Sequence, residues 1–411
     1  MHRFYTTILI TSIMASCTNN PNKTSSSPTA TSSTYQPGTF GYDLAFLQQH
    51  DSVISLAVEG EPGQVLVSPK YQGKVFTSTA EGNEGKSFGW INYKAFTAPV
   101  DAHMNAYGGE NRFWLGPEGN RFSLYFEPGK DMVFDNWKTP APFDTEPWTV
   151  VSSQPASVTM QKEMGLKNYA GTTLQLKVDR SIAILDKKKI ASQLNIVPAA
   201  DVKSVGYLAS NQITNTGKEA WNEKTGMPCI WMLDMFNPSE KTVIAIPYKT
   251  VKDASAKIAT TDYFGEIAAD RIQYHNGVLL FKADGKSRGK LGLDPHRATH
   301  LAGSYDAAGK VLTIIQYDLD PSGRYLNQEW NTKKPPFSGD AVNAYNDGPL
   351  QNGSQMGPFY ELESVSPAAF LQPGGTLAHN HAVFHFTGSA SSLDQLASKI
   401  LGVSIREKSE P

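Results

Sequence analysis

The stretch His379-Asn380-His381-Ala382-Val383-Phe384-His385-Phe386 alternates polar and apolar residues over most of its length. In a strand, successive side chains point to opposite faces, so His379, His381 and His385 share one face while Ala382, Phe384 and Phe386 share the other. The apolar face suits a core, and the histidine face reads as a polar, open sheet face. Runs of similar character recur along the chain at residues 53–58, 64–67, 121–126, 172–178, 242–246 and 311–317, with turn signals between them. Tyr274-His275-Asn276-Gly277-Val278 holds an Asn-Gly pair between apolar runs, the strongest short hairpin signal. Residues 306–309 and 320–323 read similarly. Helical signals are few: Ser392-Leu393-Asp394-Gln395 has the form of a capping box opening a helix that stops at Gly402, and residues 43–50 and 187–194 read as two short helices. The chain is therefore expected to be all-β, with mostly antiparallel sheets and few short helices. No repeat and no linker divides residues 41–405, and residues 331–357, rich in Gly, Pro and Asn, read as one long loop.

Composition narrows the function classes. The 411 residues carry 37 Lys+Arg against 39 Asp+Glu, a net charge of −2, which excludes the basic face a nucleic-acid binder needs. That length is ample for a real core, so no disulfide framework is required. The two cysteines, Cys17 and Cys229, have different contexts. A short apolar run ends in Met14-Ala15-Ser16-Cys17; it is too short to cross a bilayer, which takes roughly 20 residues. It resembles a bacterial lipobox, so residues 1–16 are expected to be a lipoprotein signal peptide and Cys17 the lipidated first residue of the mature chain. Residues 24–34 follow, with nine Ser or Thr in eleven positions, and residues 17–40 read as a tether without a core to bury. Thr18 after the cysteine is not the Asp of an inner-membrane retention signal, so the expected location is the cell envelope, anchored in the outer membrane. Cys229, in the apolar run Pro228-Cys229-Ile230-Trp231-Met232-Leu233, reads as a packing residue.

Three further segments carry residues suited to chemistry. In Gly108-Gly109-Glu110-Asn111-Arg112-Phe113-Trp114-Leu115-Gly116-Pro117-Glu118, a strand would place Arg112 and Trp114 on one face. A guanidinium that bonds hydroxyls and an indole that stacks on C–H faces suit a sugar. Alternatively, Trp114 is a core residue and Arg112 a partner of Glu118. In Phe359-Tyr360-Glu361-Leu362-Glu363, the two carboxylates would lie on the same side of a strand, where either their repulsion raises one pKa towards the range of a general acid or base or one of them is paired to a Lys or Arg. The paired histidines His379 and His381 have zinc-ligand spacing, but no second cluster supports them, and no metal or other cofactor is expected.

Taken in order along the chain, these segments resemble the galactose mutarotase-like (aldose 1-epimerase-like) superfamily, in a bacterial lipoprotein branch. Glu361-Leu362-Glu363 followed by Leu371-Gln372-Pro373-Gly374 is similar to the family's late signature of a strand "LE" and an "L-x-PG" turn. Gly108 to Glu118 is similar to the "GG-x-R-x-W-x-x-PE" segment, Asn211 to Gly217 to the "N-t-g" strand and turn, and Val67 to Val75 to the early strand pair. The resemblance covers most of residues 53–386 and implies a β-supersandwich with a sugar-sized cleft. It implies a Glu on the late strand, matched by Glu363, that takes the anomeric hydroxyl proton while a His donates to the ring oxygen. After the Thr214-Asn215 turn the chain runs Lys218-Glu219-Ala220-Trp221-Asn222, without the mid-chain His of that scheme, and His103 is the nearest candidate for the early one. His103, His300 and His381 are thus the candidate acids, with Arg112, Trp114, Glu118 and Glu361 as substrate contacts. The resulting expectation is a lipid-anchored envelope protein that recognises a carbohydrate as a binder. The alternatives are an active aldose 1-epimerase-like enzyme with Glu363 as base, and a structural or partner-binding envelope lipoprotein without a small ligand.

Overall fold

The computed structural model describes residues 34–251 and 257–405; Cys17, the signal peptide and most of the tether lie outside the described residues. Three antiparallel sheets make up the fold. The largest has ten strands, in the spatial order Ile272–His275, Val278–Lys282, Thr242–Pro247, Leu301–Asp306, Val311–Tyr317, Thr376–Thr387, Lys203–Asn215, Thr173–Leu185, Ser157–Lys167 and Thr149–Gln154. A five-stranded sheet runs Gly289–Leu293, Val342–Asn346, Tyr360–Val365, Cys229–Phe236 and Arg112–Gly116. A three-stranded sheet joins Ile54–Ala57, Gln64–Ser68 and Lys74–Thr79. With three short α-helices among the described residues, this is an all-β sandwich.

The core explains the layering. Phe113, Leu115, Ile230, Met232 and Leu362 of the five-stranded sheet share one apolar cluster with Met160, Val178, Ile213, Ile315 and Val383 of the ten-stranded sheet. The reverse side of the ten-stranded sheet is covered by helices: Ala382, Phe384 and Phe386 pack with Ile190 of Lys187–Gln193 and with Leu393, Leu396 and Leu401 of Ala390–Leu401. The apolar half of the opening motif is thus a core face, as its alternation implies.

The histidine half departs from the reading. His379, His381 and His385 do not look onto solvent; they are fully buried between the two sheets. The second layer, which alternation within one strand does not reveal, covers them: Ser364 holds His379 and His381, Asp234 also holds His381, and His385 is held by Glu110 and by Thr313 of its own sheet.

Local signals fare well where the backbone demands a particular residue. Asn276 and Gly277 both take positive φ, +48° and +80°, in the tight turn between Ile272–His275 and Val278–Lys282. Gly402, at φ +74°, ends the last helix. That helix starts one turn earlier than its capping box indicated: Ser389 is the cap, and its side chain accepts the Ser392 N–H. The first helix likewise lies earlier, at Phe40–Leu47.

Two segments differ in kind. Residues 121–126 form no strand, because Asn120 turns the chain at φ +62° and its side-chain oxygen accepts the Phe122 N–H; the apolar run is buried as a loop. Residues 331–357 are not one loop, because Val342–Asn346 supplies an inner strand of the five-stranded sheet. Five residues flanked by Gly339 and Gly348 are too few to stand out from such loop-rich surroundings.

Candidate functional site

The site is built on the face of the five-stranded sheet turned away from the ten-stranded one. Register aligns its residues: Glu363 lies opposite Leu233 and Asn343, Glu361 opposite Met235 and Tyr345, and Lys290 opposite Tyr345. On the far side, Arg112 pairs with Leu233 and Trp114 with Trp231. Because side chains alternate, Glu361, Glu363, Lys290, Arg112, Trp114 and Trp231 converge on one face while Leu362 and Ser364 enter the sandwich.

Two charge pairs form there. Lys290 Nζ lies 3.0 and 2.8 Å from the two oxygens of Glu363, and the Trp231 indole N–H donates to Glu363 Oε2 at 2.8 Å. The same ammonium is 4.7 Å from the centre of the Trp231 ring. Arg112 bonds Glu361 and lies 5.1 Å from the Trp114 ring centre. Trp114 meets Trp231 edge to face at 5.7 Å. Burial pushes the Glu361 carboxyl up, opposed chiefly by Arg112.

A cleft of about 330 Å³ opens above Lys290. Its walls are Glu118, the aromatic side chains of Phe134, Tyr263 and Trp330, and the 328–330 segment. Glu118 is brought there by close chain contact. A Cβ on Gly119 would sit 1.9 Å from the Glu329 carbonyl oxygen, so only glycine allows the approach. The Asn120 N–H then donates to that carbonyl, and the Glu118 N–H donates to Gln328 Oε1 at 2.6 Å. Burial raises the Glu118 pKa, while the nearby Lys290 charge pulls it down. Asp340, hydrogen-bonded by the Tyr263 hydroxyl at 2.6 Å, is pushed up to about 7 by burial.

The expected site residues therefore separate. Glu118 lines the cleft. Glu363 lies beneath it, fully buried behind Lys290. Arg112, Glu361 and Trp114 form a buried cluster on the same sheet face, and Arg112 is the partner of Glu361, not of Glu118. His103 is a neighbour at the rim: its Nδ1 lies 2.6 Å from the Trp137 carbonyl and its ring stacks on Phe134 at 4.5 Å. His300 is exposed beside the Leu301–Asp306 strand of the other sheet, and so cannot serve the cleft. His381 is excluded by alternation: it contacts Ser364 Oγ and lies 2.6 Å from Asp234 Oδ2, on the opposite side of the sheet from Glu363. Among the described residues no group of three or more His, Cys, Asp or Glu is arranged to hold a metal ion. Cys229 is a buried free thiol, its pKa pushed up to about 12 by burial, which suits packing and not nucleophilic chemistry.

Sequence reasoning missed Lys290, Tyr263 and Trp330. Lys290 was open to discovery: Gly289-Lys290-Leu291-Gly292-Leu293 alternates, with one cation on an otherwise apolar strand. Tyr263 and Trp330 lie in irregular segments and carry no such signal.

The class of protein so described is an all-β sandwich with a cleft over a buried charge pair. Among solved structures, the Slr1438 protein of Synechocystis shares the fold, with TM-score 0.51 and 12% identity over 82% of this chain and 96% of that one. A galactose mutarotase-like protein of Lactobacillus casei aligns with TM-score 0.48 and 8% identity over 81% of this chain and 100% of that one. No curated protein matches the chain by sequence. The chain belongs to DUF6786, a family of unknown function, whose sequence profile matches residues 38–410.

Proposed function

We propose that this protein is a carbohydrate binder of the cell envelope, anchored through a lipidated Cys17. The observation that carries the reading is the cleft itself: the aromatic side chains of Trp330, Tyr263 and Phe134 line it together with Glu118 and Lys290. Flat aromatic surfaces beside a few fixed polar groups are what a sugar needs, since its C–H faces stack and its hydroxyls seek charged partners. Binding is favoured over epimerisation by the state of Glu363. Its carboxylate is fully buried and receives two contacts from Lys290 and one from Trp231, so it meets a substrate only if Lys290 moves. None of the described histidines lines the cleft.

Calorimetry of the purified chain against a panel of mono- and oligosaccharides tests this. Binding that disappears in Trp330→Ala is the expected result; a correctly folded chain that binds no glycan in the panel overturns it and favours a protein partner. The raised pKa of Glu118 supports a second reading, an aldose 1-epimerase-like enzyme with an accessible acid. NMR of freshly dissolved α-sugars separates the two, because only the enzyme accelerates anomer exchange. Lipidation is tested by metabolic labelling with an alkyne fatty acid, which is expected to mark the wild type and not Cys17→Ala.

A further inference from the structure

The cleft does not end at its own mouth. A second cavity, of about 570 Å³, adjoins it, and the two share Phe264, Arg288 and Leu350 in their walls. Each lies in the roughly 300–1,000 Å³ range of small-ligand sites, so the pair offers room for consecutive units of a chain.

Charge distinguishes the shared wall from the rest. Lys290 is engaged by Glu363, and Glu329 by Lys334. Arg288 differs: its guanidinium carbon lies 3.8 Å from the Phe264 ring centre, and its Nε donates to the Tyr345 hydroxyl at 3.3 Å. Among the described residues it forms no ion pair with a carboxylate. Stacking fixes the plane of the guanidinium while its two terminal nitrogens keep their donors for an acceptor in the groove.

Resting on the carbohydrate reading, we propose that the ligand is an acidic oligosaccharide. Its first unit occupies the cleft above Lys290. The next passes Arg288 and places its acidic group, a uronate carboxylate or a sulfate ester, against the guanidinium. A fork of two parallel donors matches either oxyanion, and such charge-assisted pairs are about twice as strong as neutral ones. Arg288 is then the residue that sets specificity, and the second cavity, which reaches Gln351 and Asn352, receives the continuing chain.

The test is calorimetry on the full chain with chain-length series of galacturonate oligomers, sulfated galactan oligomers and neutral galactan oligomers. The acidic trimer is expected to bind at least tenfold more tightly than the neutral trimer and than the acidic monosaccharide, and preference between the uronate and sulfate series identifies the acidic group. Arg288→Gln should abolish the tenfold preference, read as the ratio of acidic to neutral affinity in the same variant, and Arg288→Lys should restore only part of it. Arg288 is exposed, so both variants are expected to fold, which circular dichroism checks. Equal binding of acidic and neutral chains, or an acidic preference that survives Arg288→Gln, overturns this inference and leaves the carbohydrate reading standing. A folded chain that binds none of the three series overturns both.

Discussion

The two faces of the Tyr360–Val365 strand both bury polar groups, yet they do different work. Towards the sandwich, Ser364 joins His379 and His381, and His381 joins Asp234. Asn111 donates to Asp234, and Arg180 from the ten-stranded sheet bonds Asn111 and Asn211. Ser364–His379, Ser364–His381, Asp234–His381 and Arg180–Asn111 cross from sheet to sheet, and their groups are sealed from water. On the opposite face, Lys290–Glu363 and Arg112–Glu361 are pairs within one sheet, and the first of them borders a cleft. Buried polarity by itself therefore does not mark a binding site. What distinguishes the cleft face is void space beside the charges and donors left without a carboxylate.

The largest effect is expected inside the sandwich. Arg180 donates to the Gly73 carbonyl, the Asn211 side chain and both oxygens of Asn111, all buried. Arg180→Met leaves those acceptors unpaired, at a cost of about 3–5 kcal/mol, the scale of a broken buried network. The urea midpoint measures it. A loss below about 1 kcal/mol would show that the interior network is not the scaffold.

The cleft face should respond next, and differently. Lys290→Met strands Glu363 without its cation, which costs about 3 kcal/mol at pH 8 by the same reasoning. Lys290→Met combined with Glu363→Gln removes the stranded charge and should recover most of the loss. Urea titrations of the single and double variants check both the loss and its recovery.

Asp340 gives a smaller effect in the native chain. Its folded pKa is raised from 3.8 to about 7, chiefly by burial. A raised acid contributes stability that is fully present below the unfolded pKa and is lost as pH rises through the folded one, so the native chain should weaken between about pH 4 and pH 7. Asp340→Asn keeps the shape without the charge and should flatten that part of the stability profile. An unchanged slope would mean that Asp340 is ionised in the fold without penalty.

How much of this was legible in the sequence depends on how local the determining physics is. The alternation at Ala382, Phe384 and Phe386 identified a core face, and the Asn276-Gly277 pair identified its turn, because each needs only a strand's period or a backbone's sterics. Glu361 and Glu363 were correctly placed on one face for the same reason. Which cation each would meet was not legible: Lys290 lies 73 positions before Glu363, and Arg112 lies 249 before Glu361. The histidines failed for a related reason, since burial by a second sheet is a property of topology and not of the strand that carries them. The cleft walls at Tyr263 and Trp330 come from irregular segments, whose conformation is set by tertiary contact alone.

The smallest effect on stability should accompany the most informative effect on binding, at Glu118. This side chain retains access to the cleft and has a raised pKa, so Glu118→Gln removes charge with little change of shape. Stability is expected to change by less than about 1 kcal/mol, the ordinary scale for a partly accessible polar substitution. Binding should change in a pH-dependent way. If the ionised carboxylate accepts a ligand hydroxyl, wild-type affinity falls on acidification as Glu118 takes up a proton and loses acceptor strength. In Glu118→Gln the affinity should be lower at neutral pH and independent of pH. Calorimetry with one bound glycan from pH 4 to pH 8 resolves this, and a wild-type affinity that does not vary over that range would remove Glu118 from the recognition surface and leave it to the aromatic walls.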